Sequence, residues 1–307
     1  MNDRARLPRR RGLAASLARV SELSFQTFRQ LARMKVFYFL IFFGIIVIGS
    51  SMFVLRWNLP AQELKLLKDF SLAGMTLFSS LLAIVGTAML LPKDIEDRTL
   101  YTILSKPVPR VEYLLGKFLG VILLIGVSLL LMDLFFTGVL YLRQSLILAQ
   151  QRELFGDISA NAEAAEAWEI TKRAIEQNGL VWELQYAIAA IFIKAAVIAA
   201  LSLLVSTFAS SSLFTMVTAA VAFFAGHLQA DIRAYYESIP EWSSVAKWVS
   251  GPLALVLPDF QLFNIVDAVV AGEPIAASVP LQLLGFGAGY VVVYLLLAWY
   301  VFQDKEI

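Results

Sequence analysis

Two sets of ionisable residues could do work in this chain, and each suits a different task. Asp133 and Lys194 stand alone inside long apolar runs, 118–142 and 184–208. A charge in such a run is costly and persists where it is paired, lines a polar path or moves a proton. Asp133 lies nine residues before Leu142, and Lys194 lies ten after Leu184. At about 1.5 Å per residue, antiparallel neighbours would bring both roughly 14–15 Å below the same surface. The spacing predicts a buried Asp133–Lys194 ion pair that fixes helix register, with a substrate or proton site as the alternative.

The second set is the Pro-punctuated stretch 92–117, PKDIEDRTLYTILSKPVPRVEYLLGK. Asp94, Glu96 and Asp97 stand where the positive end of a helix dipole would be, and Lys106 and Arg110 stand near the other end. Leu100, Tyr101, Ile103 and Leu104 make an apolar face, and Pro107 and Pro109 stop the helix. A short helix over 94–105, outside the bilayer, is expected. Its apolar face needs a partner protein or the membrane surface; the plainer alternative is an interfacial helix that only turns the chain.

Other chemistry is poorly provided for. A phosphate-binding loop reads G-x-x-x-x-G-K-[ST]. The one Gly-Lys pair, Gly116-Lys117, has Val111 at the first Gly position and Phe118 at the Ser/Thr position. No HExxH or GxSxG occurs. With no cysteine and a single histidine, His227, neither a thiolate site nor a histidine cluster can form. No catalytic residue, bound cofactor or metal site is expected of this chain, and nucleic acid is not an expected partner.

The elements that position these residues follow from hydropathy. At 59% hydrophobic, 16% charged and a mean hydropathy of +0.72, 307 residues are too apolar for an ordinary soluble domain. The reading is an all-α, polytopic membrane protein with six crossings at about 36–55, 72–91, 118–142, 184–208, 213–230 and 279–302. Twenty residues reach about 30 Å, the thickness of a hydrocarbon core. Residues 56–70 read as an amphipathic connector. No cleavable leader is apparent, because 36–55 is long enough to stay in the membrane.

Ahead of the first run, residues 1–35 hold a basic tail and an amphipathic helix. Leu13, Leu17, Val20, Leu23, Phe28, Leu31 and Met34 share one side, and Arg19, Glu22, Gln26, Gln30 and Arg33 share the other. It is expected to lie flat in the interface. This segment carries nine Lys and Arg against Asp3 and Glu22, so the positive-inside rule puts it in the cytoplasm. The 92–117 turn and the C-terminus follow it there. Residues 143–181, with Glu153, Asp157, Glu163, Glu166, Glu169 and Glu176, fall outside.

That outer segment reads as a helical hairpin. Ala164, Trp168, Thr171 and Ile175 recur at helical spacing, and Asn178-Gly179 is a stop signal. It either docks an outer-face partner or simply connects two crossings. Residues 231–278 carry Tyr235, Tyr236, Trp242 and Trp248, which favour a membrane boundary, and 248–257 is too short to cross. Gly285-x-x-x-Gly289 allows close helix approach.

Read as Glu96-x-x-Thr99-Leu100-x-x-x-Leu104-x-x-Pro107-Val108-x-Arg110-x-x-Tyr113-Leu114-Leu115-Gly116-Lys117, the charged turn resembles the segment between the second and third crossings of ABC-2-type permeases. It is most similar to the branch that includes permeases associated with copper-enzyme maturation. Leu257-Pro258-Asp259-Phe260-x-x-Phe263-Asn264 is similar to a second family hallmark. The chain departs from the pattern at Arg98, where many relatives carry Gly.

The resemblance implies a six-crossing domain over 36–307 in a bacterial inner membrane, with both termini cytoplasmic. It implies two permease subunits, identical or paralogous, on two separate ATPase subunits that supply ATP and Mg. The 94–105 helix would then be a coupling helix. Leu100, Tyr101 and Leu104 would give the apolar contact, and Glu96, Arg98 and Arg110 the charged anchors. The implied function is an ATP-driven transporter, an exporter; separately, spans with no charged residue apart from Asp133 and Lys194 and no Cys/His/Met cluster fit an amphiphilic or lipid-like cargo better than a small ion or a metal. Alternatives are a non-transporting anchor that passes force to an outer-face partner, and a secondary transporter.

Overall fold

Long apolar runs without strand-forming alternation satisfy their backbone most cheaply as helices, and among the described residues no strand occurs. The structure is a computed structural model that describes residues 13–54, 60–96, 109–155, 162–209, 211–237 and 257–303. The helices are α1 (Leu13–Ala32), α2 (Lys35–Val54), α3 (Pro60–Ala88), α4 (Leu90–Glu96), α5 (Arg110–Leu154), α6 (Ala162–Asn178), α7 (Glu183–Phe208), α8 (Ser212–Glu237), α9 (Val266–Ala271) and α10 (Ser278–Gln303). A 3₁₀ turn, Phe260–Phe263, precedes α9.

Among the described residues, five helices are long and apolar enough to cross a membrane: α3, α5, α7, α8 and α10. α2 is a further twenty-residue helix of almost wholly apolar sequence.

α7 is the central post. Its membrane-length window is 78% buried, against 22% for α8 and for α10. Ala187, Ala190, Ala195, Ala199 and Ala200 are all buried on it, and such small side chains let α3 and α10 approach closely. Outward, α8 presents Leu213, Val217, Val221 and Phe224, and α10 presents Leu281, Leu284, Val292 and Leu296. A surface so continuously apolar belongs against hydrocarbon or another apolar helix.

Four boundaries differ from the expected ones, one of them the end of α8, which runs on from 230 to Glu237 and takes in Tyr235 and Tyr236. α3 starts at Pro60, so residues 60–70 are its opening turns rather than a connector. Proline at the first helical position costs no hydrogen bond. Its far end breaks at Met89, where Pro92 has no N–H to offer the Ala88 carbonyl, and α4 resumes at once. Most consequential is α5. It does not stop at Leu142 but continues to Leu154, 45 residues and about 68 Å.

The end of α5 and α6 form the two arms of a hairpin. Phe155 meets Trp168 edge-on at 5.9 Å. Ile175 is buried, and Ala164, Trp168 and Thr171 on the same face are half-buried. At its base the Gln144 Oε1 accepts a hydrogen bond from the Leu180 N–H at 3.0 Å, beside Gly179. Arg143 reaches Glu63 on α3 at 2.7 Å and holds the hairpin against the bundle.

α1 lies against the start of α5 because two glycines admit it. A Cβ at Gly116 would stand 2.5 Å from the Leu23 Cβ, and one at Gly120 would stand 2.8 Å from the Ser24 carbonyl oxygen. On α10, Gly285 and Gly289 face open space, and the glycine that makes a helix contact is Gly287, against Ile193 of α7.

Candidate functional site

The charged turn is held at both ends. On its α4 side, the Asp94 carboxylate receives the Lys117 ammonium at 2.6 Å and the Tyr113 hydroxyl on the same oxygen, Oδ2. Both charges are almost fully buried. Such a pair is tolerable because the acid has two donors, a full charge and a hydroxyl, to replace water. Tyr113 and Lys117 are one helical turn apart on α5, which is why both reach one acid. Tyr113 also stacks on Phe302 of α10 at 6.0 Å.

On its α5 side, Arg110 donates from Nη1 to the Phe302 carbonyl at 2.8 Å and to the Gln303 carbonyl. Both carbonyls belong to the last described turn of α10, so Arg110 ties the start of α5 to that end of α10. Two residues on, Glu112 accepts from Arg19 at 2.6 and 2.8 Å and from Ser16 at 2.6 Å. The bidentate pair holds the Arg19 guanidinium above its ordinary range through that hydrogen bond. So α1, α4, α5 and α10 meet within a few residues of the turn.

These placements revise parts of the expected coupling helix. Asp94 lies inside α4, which already runs from Leu90, and belongs to a buried ion pair; it does not open a helix at 94. Glu96 is the last residue of α4. Arg110 spends its guanidinium on α10. Arg98, Leu100, Tyr101 and Leu104 lie outside the described residues.

Asp133 and Lys194 are not brought together. Asp133 accepts from Thr137 at 3.2 Å on its own helix and from the Gln185 side chain at 3.3 Å. Gln185 is nine residues before Lys194, about 13 Å along α7. The level-matching fails because Leu142 is not the end of its helix. With α5 running on to Leu154 and a hairpin intervening, Asp133 is level with the first turn of α7, and Lys194 lies deeper, past the Phe192 ring that touches Gly126. The register is fixed instead near the bundle end, by Arg143–Glu63.

Lys194 is 6% exposed and lines a cavity of about 790 Å³ between α3, α7, α8 and the 3₁₀ turn. Among the described residues no carboxylate lies within ion-pair distance of its ammonium. His227 shares this cavity and is half-buried. Its Nδ1 is 2.9 Å from the Phe223 carbonyl, so that nitrogen carries the proton.

The Leu257–Asn264 stretch builds one wall. The Asp259 carboxylate accepts from the Gln261 N–H at 3.0 Å and starts the 3₁₀ turn. Phe260 then packs on Phe223 and His227 at 5.8 and 5.4 Å between ring centres. Gly226 allows this, since a Cβ there would stand 2.6 Å from the Pro258 carbonyl and from the Phe260 ring.

Several of these residues carried a sequence signal and several did not. Tyr113 and Lys117 stand in the quoted motif, though as conserved-looking letters rather than as partners of Asp94. Glu63, Lys68 and Asp69 were read as part of a connector, yet Lys68 is fully buried. Compared with known proteins, no family model matches the chain, and no curated protein matches it.

Proposed function

We propose that the chain is the membrane-spanning subunit of an ATP-driven exporter of the ABC-2 type, worked by separate ATPase subunits. α2 supplies a sixth crossing, and the 92–117 turn faces the cytoplasm of a bacterial inner membrane. Two permease copies, identical or paralogous, stand on two ATPases that bind the ATP and Mg; this chain binds neither. The observation that carries the reading is the clamping of both ends of the turn. A push on residues 97–108 is passed at one end through Asp94 to α5, and at the other through Arg110 and Glu112 to α10 and α1. Together with the resembling motif, this suits a lever better than a passive loop.

Leu100, Tyr101 and Leu104 supply the apolar contact with the ATPase, and Glu96 and Arg98 the charged one. Arg110 supports it from behind. Purification of the tagged chain from native membranes tests this. A Walker A-bearing ATPase is expected to copurify, and a Tyr101→Asp, Leu104→Asp double variant is expected to lose it while staying in the membrane. No ATPase with the parent chain would remove the reading.

A second reading is favoured by α5. One unbroken helix links the turn to the hairpin, as a force-transmitting anchor for an outer-face partner would need. Shortening the hairpin distinguishes the two: an exporter keeps its flux, and a force coupler loses its output.

A further inference from the structure

We infer that the cavity beneath Lys194 binds an amphiphile with a single acidic group, the Lys194 ammonium receiving the acid and the slot receiving the tail. Naming this ligand as cargo rests on the permease reading above; the binding itself does not.

Three observations point the same way. Lys194 is more than nine-tenths buried, lines the cavity and has no acid beside it among the described residues. A buried cation without an anion is expensive, and a bound anion removes that cost. The slot is long: α3 lines it from Asp69 to Ile84, about 22 Å of helix. Its volume of about 790 Å³ far exceeds a small anion and matches a molecule with a substantial hydrocarbon part.

Its lips are apolar and outward-facing, Leu77 and Leu81 on α3 and Phe224 and Leu228 on α8, all exposed. An occupant can therefore enter sideways with its tail in hydrocarbon, past that lip, while Asp69, Gln261, Asn264 and Asp267 give the same cavity an exposed polar side. Asp69 and Asp267 also line the cavity and disfavour a second negative charge beside them. His227, with its Nδ1 proton committed to Phe223, leaves Nε2 as the remaining polar atom of the ring.

The test uses the full chain in phosphatidylcholine nanodiscs without any ATPase. The probes are doxyl-labelled stearate and its uncharged methyl ester, read as the motionally restricted fraction by electron paramagnetic resonance. The parent chain is expected to favour the acid over the ester by about tenfold or more, the range of a hydrogen bond to a charge. Lys194→Met is expected to bring that ratio to about one, and Lys194→Arg to keep it. Ala220→Trp, which fills the slot and spares the lysine, is expected to lose both probes.

An acid-to-ester ratio that survives Lys194→Met overturns the inference, and so does undiminished stearate binding in Ala220→Trp. No preferential binding by the parent chain, as when a second copy fills the slot, overturns it too. Displacement of stearate by excess acetate would show that the tail contributes nothing and would overturn the amphiphile. Because no ATPase is present, failure here leaves the copurification result standing, and failure there leaves this binding standing.

Discussion

Of the buried lysines, Lys117 and Lys194 should respond to the same substitution with opposite signs. Lys117 satisfies Asp94 at 2.6 Å, and both groups are sealed from water. Lys117→Met takes the counter-charge from the buried carboxylate, and Asp94→Asn takes it from the buried ammonium. Each is expected to cost about 3–5 kcal/mol, as breaking a buried pair does. The double variant should regain much of that loss, because neither charge is left alone. Lys194 has no such partner among the described residues, so Lys194→Met should leave stability unchanged or raised. Thermal unfolding of the purified chain, followed by loss of its monodisperse peak, checks all four variants. The sequence displayed both lysines and could not sort them. Tyr113 and Lys117 lie one turn apart and visibly share a face. That Asp94 reaches them both is a contact no residue pattern announces.

At the scale of the element, hydropathy located the helices and misplaced their ends. The apolar run in α5 stops at Leu142, yet Arg143, Gln144 and the residues beyond are good helix formers and the backbone continues unbroken to Leu154. The Asp133–Lys194 pairing failed for this reason alone. α1 was legible from its amphipathic period, but its seat was not, since Gly116 and Gly120 signal nothing until Leu23 and Ser24 are seen above them. That seat gives a sharp prediction. Gly120→Val pushes against a backbone oxygen, which cannot swing aside as a side chain can, at a cost of about 1–3 kcal/mol. α1 should lift from α5 while the rest of the bundle holds. Hydrogen exchange would show this as faster exchange over 16–27 with α7 unchanged. Equal acceleration in both would mean that α1 is integral to the core rather than clamped to it.

For the whole molecule, the decisive geometry is that the contacts sort into two ends. Arg19–Glu112, Lys117–Asp94 and Arg110 on Gln303 gather α1, α4, the start of α5 and the end of α10 at one end. Glu63–Arg143 and Gln144 on Leu180 gather the start of α3, the hairpin and the approach to α7 at the other. α1 carries Arg19 and Arg29, with Arg33 directly after it, at the first end, whereas α6 exposes Glu163, Glu166, Glu169 and Glu176 at the second. The positive-inside rule therefore assigns opposite sides to two groups of residues that the structure already separates. With no native cysteine, single cysteines report sidedness without background. Glu166→Cys, exposed on α6, should react with a membrane-impermeant maleimide on intact cells. Ser21→Cys, exposed on α1, should react only after the membrane is opened. The reverse pattern would place the 92–117 turn outside, beyond the reach of any cytoplasmic ATPase, and the exporter and force-coupler readings would fall together. Reaction of both sites from one side would instead contradict the two-ended bundle itself.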